Sequence, residues 1–80
     1  MAEKIKDLAY YMTLPYTIRL QAQPDGEWFA DIPELRGCIA AGDSRAEVLD
    51  ILDEAKESWL MVSLEDGDKI PEPTLMLVPA

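Results

Sequence analysis

Sixteen aspartate and glutamate side chains, one cysteine and no histidine are the reactive groups of this eighty-residue chain. Carboxylates in such number invite comparison with a two-metal hydrolytic site, which needs several acids converging from different elements. The alternating stretch from Tyr16 to Gln23, read as a first strand, contains no Asp or Glu. Asp31 stands on the second strand, and the largest group of acids, Glu47, Asp50, Asp53, Glu54, Glu57 and Glu65, lies along one helix. Acids so placed cannot surround one ion while the helix keeps its apolar face on the core. Cys38 has no histidine to activate it as a nucleophile, no Cys/His metal site can form, and no glycine-rich phosphate loop is present. The expectation is a protein that is not an enzyme and uses no cofactor or metal.

The formal charge of −9 points in a different direction. Seven Lys and Arg residues are scattered along the chain, so the basic patch that displaces counterions from phosphates is missing and direct nucleic-acid binding is not expected. An acidic surface serves plain solubility, and it also suits a basic protein partner, whose approach complementary charge accelerates. The apolar run Leu8–Met12 is too short and tyrosine-rich for a signal peptide, and no stretch is long enough to span a membrane. A reducing cytoplasm is the expected setting.

The elements that carry these residues follow from periodicity and punctuation. One domain over residues 1–80 is expected, with a helical segment over 1–13 and the core and tail over 14–80. Glu3 to Met12 has Ile5, Leu8 and Met12 about a turn apart and predicts a short helix, stopped by Pro15. Tyr16, Ile18, Leu20 and Ala22 alternate with polar residues and predict the inner face of a half-buried strand. Pro24-Asp25-Gly26 predicts a hairpin turn, followed by a strand from Glu27 to Ile32 with Trp28, Ala30 and Ile32 inward. Pro33 and Gly37 bracket a tight loop before a third strand, Cys38 to Ala41, in an antiparallel meander.

Asp43 or Ser44 then caps a long helix, with Ser44 and Glu47 spaced as a capping box, running to about Glu65 and closing near Gly67. At about 100° per residue, Val48, Ile51, Leu52, Ala55, Trp59 and Val62 share one arc and predict the core face, with Trp59 as an anchor. The opposite side holds Glu47, Asp50, Asp53, Glu54, Glu57 and Glu65, with Met61 and Leu64 among them. Like charges at these spacings cost the helix a few tenths of a kcal/mol per pair. That stripe reads either as a solvated face or as a docking surface built on Glu47, Asp50, Glu54, Glu57, Met61 and Leu64. The tail Ile70-Pro71-Glu72-Pro73-Thr74 is extended by its prolines, and Leu75–Val78 is a candidate edge strand. A small core and the spare apolar residues Leu49, Leu60, Met61 and Leu64 predict self-association, most simply a dimer.

From Tyr16 to Thr74 the chain resembles the HicB-like antitoxins of bacterial toxin–antitoxin pairs. The resemblance rests on Asp25-Gly26 with Trp28-Phe29, on Ile32-Pro33-Glu34-Leu35, on Gly37-Cys38 and on Gly42-Asp43-Ser44. It continues through Glu47, Ala55, Trp59-Leu60 and Glu65-Asp66-Gly67 to Ile70-Pro71-Glu72-Pro73; Arg36 departs from it, standing where proline is usual. The resemblance implies an α+β fold, a partial and non-catalytic RNase H-like meander with one long helix packed across it. It also implies a protein that binds and occludes a small basic mRNA-cleaving toxin of HicA type. Many such antitoxins carry a C-terminal DNA-binding domain, for which eighty residues leave no room. Solitary copies of the domain also occur, so an orphan oligomeric or ligand-binding module is the alternative the resemblance leaves open.

Overall fold

Asp7 opens the first helix. Its backbone is extended (φ −102°, ψ −172°) and its carboxylate accepts the Tyr10 amide at 3.0 Å, so helix α1 spans Leu8–Met12 and begins later than Glu3. A computed structural model of the chain describes residues 6–73; Glu3 to Ile5 and the strand expected at Leu75–Val78 lie outside the described residues. The Thr13 hydroxyl donates to the Tyr10 carbonyl at 2.7 Å and closes α1 ahead of Pro15.

Strands β1 (Arg19–Ala22), β2 (Trp28–Asp31) and β3 (Ile39–Gly42) form an antiparallel sheet in sequence order. The register sets Leu20 opposite Ala30 and Ala30 opposite Ala40. Between β1 and β2 the Gly26 amide donates to the Gln23 carbonyl at 3.0 Å, the turn expected of Pro24-Asp25-Gly26. Ala30, Ile32, Cys38 and Ala40 face the long helix and are buried. The inner face expected of the first strand is only partly realised. Tyr16 is buried and Leu20 half-buried, but Ala22 is exposed and Ile18 lies open before the strand begins. The cause is the path of the long helix, which packs over β2 and β3 and leaves the β1 edge outside its cover.

That helix, α2, spans Arg45–Asp66. Ser44 caps it by accepting the Glu47 amide at 3.1 Å, while the Glu47 carboxylate accepts the Asp43 amide at 2.6 Å. Its close seat on the sheet depends on Gly42, where a Cβ would meet the Val48 amide nitrogen at 3.0 Å. At the far end Gly67 takes a left-handed φ of 72°, and the Asp68 amide donates to the Ser63 carbonyl, closing the helix as a Schellman turn.

The buried face of α2 is rotated from the expected arc. Val48, Leu52, Leu60 and Ser63 are buried, and Leu49, Ala55, Trp59 and Leu64 pack partly against them. Ile51 and Val62, expected in the core, expose 38% and 59% of their surfaces, and Leu60, expected to be spare, is fully enclosed. The physical reason is α1, which packs against α2 and obliges it to bury a second flank; Lys56 Nζ donates to the Met12 carbonyl at 3.3 Å across that contact. Leu35, Leu52 and Leu60 are the largest fully buried side chains, and burying each stabilises the fold by about 1.5–3 kcal/mol relative to exposure.

The Pro/Gly-bounded loop and the tail complete the core. Glu34 accepts both the Thr17 hydroxyl, at 2.7 Å, and the Thr17 amide, while Leu35 plugs the interior. Partial burial pushes the Glu34 carboxyl up, but those hydrogen bonds outweigh it and leave it below its ordinary range. Ile70 is buried, and the Tyr16 hydroxyl donates to the Pro71 carbonyl at 2.6 Å, so the extended tail is tied back beside α1.

Candidate partner-binding surfaces

Two surfaces of α2 remain after the core is built. The first is the acidic side. Asp50, Asp53, Glu54 and Glu57 stand exposed and, with Met12 from α1, border one shallow groove. None of the four has a cation partner among the described residues, whose ion pairs are Lys6–Glu72 at 3.1 Å and Arg19–Asp31. Met61 lies beside them with 46% of its surface open, enough to offer an apolar contact within the charged field. Glu47 and Leu64 are placed differently from the other expected site residues. The Glu47 carboxylate is committed to the helix start, and Leu64 is partly buried against the core.

The second surface is not legible from periodicity, which assigns Ile51, Ala55 and Val62 to the core. Ile51, Ala55, Ser58 and Val62 follow one another at spacings of four, three and four along α2. Ala55, Ser58 and Val62 line a groove together with Trp59, Ser63, Gly37, Cys38 and Asp68, which places this side of the helix next to the start of β3. Cys38 itself is buried, and that burial pushes its thiol up, away from the reactive thiolate.

The sheet face turned away from α2 bears Arg19, Gln21, Phe29, Asp31, Ile39 and Ala41. Arg19 Nε donates to Asp31 Oδ1 at 2.8 Å and its second nitrogen to Oδ2, a bidentate pair across β1 and β2. The guanidinium bond holds the Asp31 carboxyl below its usual range. The one acid on the central strand is thus occupied by a cation. Among the described residues no three Asp, Glu or Cys side chains converge closely enough to hold a metal ion, and no helix is long and apolar enough to cross a membrane.

Comparison with known proteins gives the same outline. UPF0150 protein ssr1765 of Synechocystis sp. is 30% identical over 64 residues, which covers 80% of this chain and 81% of the relative. UPF0150 protein ssl0259 of the same organism is 34% identical over 56 residues, covering 70% of this chain and 77% of its own length. The crystal structure of TTHA0281 from Thermus thermophilus matches with a TM-score of 0.68 and 29% identity, over 91% of this chain and 90% of that one. The UPF0150-like family model matches residues 17–71, from the threonine clamped by Glu34 to the proline whose carbonyl receives Tyr16. With its meander, its single long helix and that match, the chain belongs to the UPF0150-like family.

Proposed function

We propose that this protein is a HicB-like antitoxin that binds a small basic mRNA-cleaving toxin of HicA type and occludes it without catalysing any reaction. The observation that carries this reading is the exposed acidic arc Asp50, Asp53, Glu54 and Glu57, unpaired with any cation among the described residues and flanked by exposed Met61. An isolated helix gains nothing from such an arc, since like charges one turn apart repel. A cationic partner relieves the repulsion and is drawn in by it. Membership of a family of small proteins that the HicB-like motifs resemble supports the same reading. The non-catalytic part is supported by Asp31, whose two carboxylate oxygens are taken by Arg19. We infer a cytoplasmic setting, where such a toxin meets messenger RNA.

Association kinetics test the arc. Asp50→Lys with Glu54→Lys should slow binding of the basic toxin strongly at low salt and much less at high salt, with the fold intact. Met61→Ala should act mainly on dissociation. An association rate unchanged in the double lysine variant would reduce the arc to a solvated face.

A second reading is an oligomeric HicB-like module with no toxin. The side of α2 next to β3 favours it, because Ile51, Ala55, Ser58 and Val62 carry no charge there and suit a copy of the chain better than a basic protein. Absence of a short reading frame for a basic protein beside this gene would favour it further.

A further inference from the structure

We propose that a second copy of this chain docks along β3, pairing β3 antiparallel with its counterpart and laying the two α2 helices side by side on one continuous sheet. The inference does not depend on the antitoxin reading.

Among the described residues β3 lies at the edge of the sheet. The Ile32 amide donates to the Cys38 carbonyl at 3.1 Å, so by antiparallel alternation Ala40 bonds inward to β2, while the backbone groups of Ile39 and Ala41 point outward. Soluble proteins blunt such edges with charge, proline or a bulge. Ile39-Ala40-Ala41-Gly42 contains no charge and no proline, and it pairs with β2 in unbroken register. The opposite edge strand, β1, carries Arg19.

The helix layer above that edge carries the matching feature. Ile51, Ala55, Ser58 and Val62 are ordered large, small, small, large, at spacings that read the same in both directions. A two-fold axis between Ala55 and Ser58 therefore sets Ile51 of each copy against Val62 of the other, with the small residues allowing close approach. Ala55, Ser58 and Val62 share one groove with Gly37 and Cys38, so helix stripe and strand edge form one lateral surface. Charge selects the occupant. At −9 the chain repels its copies wherever acids face each other; Ile51, Ala55, Ser58, Val62 and Ile39–Gly42 include no acid, and Asp68, beyond the helix end, is the one acid that lines their groove. A basic partner is drawn instead to the Asp50–Glu57 side of the helix.

Sedimentation of the full chain at micromolar concentration tests the proposal. The wild type should run at twice the 9.0 kDa chain mass. Ala41→Pro removes an outward amide without touching the bonds to β2 and should yield single chains with an unchanged circular dichroism spectrum. Val62→Glu, a surface change outside the core, should do the same through the helix layer, and it keeps the test decisive if the proline disturbs folding. Met61→Glu, on the acidic side, should leave the dimer intact. A wild type that sediments as a single chain overturns the proposal, as does a dimer that survives both Ala41→Pro and Val62→Glu.

Discussion

The indole Nε1 of Trp59 donates to the carbonyl oxygen of Arg36 at 2.8 Å, fastening α2 to the loop between β2 and β3. The ring is half-buried rather than enclosed, so it works as a clasp at the rim of the core while Leu60, its neighbour in sequence, fills the interior.

Two substitutions separate the clasp from the ring. Trp59→Phe keeps most of the packing and should cost about 1 kcal/mol for the lost hydrogen bond. Trp59→Ala should cost about 3 kcal/mol, the low end for a large aromatic because part of the ring is solvated. A domain of this size holds on the order of 5–10 kcal/mol in total, so urea midpoints should resolve all three proteins. An alanine variant as stable as wild type would contradict the role.

Strand and helix approach closely at Gly42, where a Cβ would lie 3.0 Å from the Val48 nitrogen. Its neighbours there are backbone or capping groups, so none yields easily. Gly42→Ala should destabilise by about 1–3 kcal/mol, as overpacking does. Thermal melts check this, and an unchanged midpoint would mean that the helix start shifts freely.

Tyr16 should set part of the alkaline limit. Burial, with help from the Glu72 charge, pushes its hydroxyl up from an ordinary value near 10 to about 12. A folded value above the unfolded one means that the contribution is complete below pH 10 and is lost as pH rises towards 12. Tyr16→Phe should remove the Pro71 hydrogen bond at neutral pH and flatten the fall in stability across that window. Unfolding curves at several pH values measure the slope; an identical slope in the variant would assign the alkaline loss to other groups.

Purified protein should not cleave RNA–DNA hybrids with or without Mg²⁺ or Mn²⁺. Cleavage that depends on metal and disappears in Asp31→Asn would contradict the non-catalytic reading, since Arg19 is taken to occupy that carboxylate.

Legibility from sequence followed the range of the forces involved. The hairpin at Pro24-Asp25-Gly26, the Ser44–Glu47 cap and the Gly67 stop depend on neighbours within four residues, and each stands where spacing puts it. The face of α2 does not, because a helix buries what its partners cover. Periodicity assumes one partner, the sheet; α1 is the second, and it turns Leu60 inward and leaves Ile51 and Val62 outside. Ile18 departs from expectation for a related reason, since alternation cannot tell an edge strand from a covered one. The acids Asp50, Glu54 and Glu57 are legible as an exposed arc, whereas the engagement of Glu47 with the Asp43 amide is a property of the folded helix start.

The central proposal is that this protein silences a basic ribonuclease by covering it. Titrating the full chain into an mRNA-cleavage reaction run by a purified small basic toxin of HicA type measures that directly. We expect cleavage to fall to background near equal molar amounts, and the Asp50→Lys, Glu54→Lys variant to require more protein, most clearly at low salt. Undiminished cleavage in the presence of excess folded protein would contradict it.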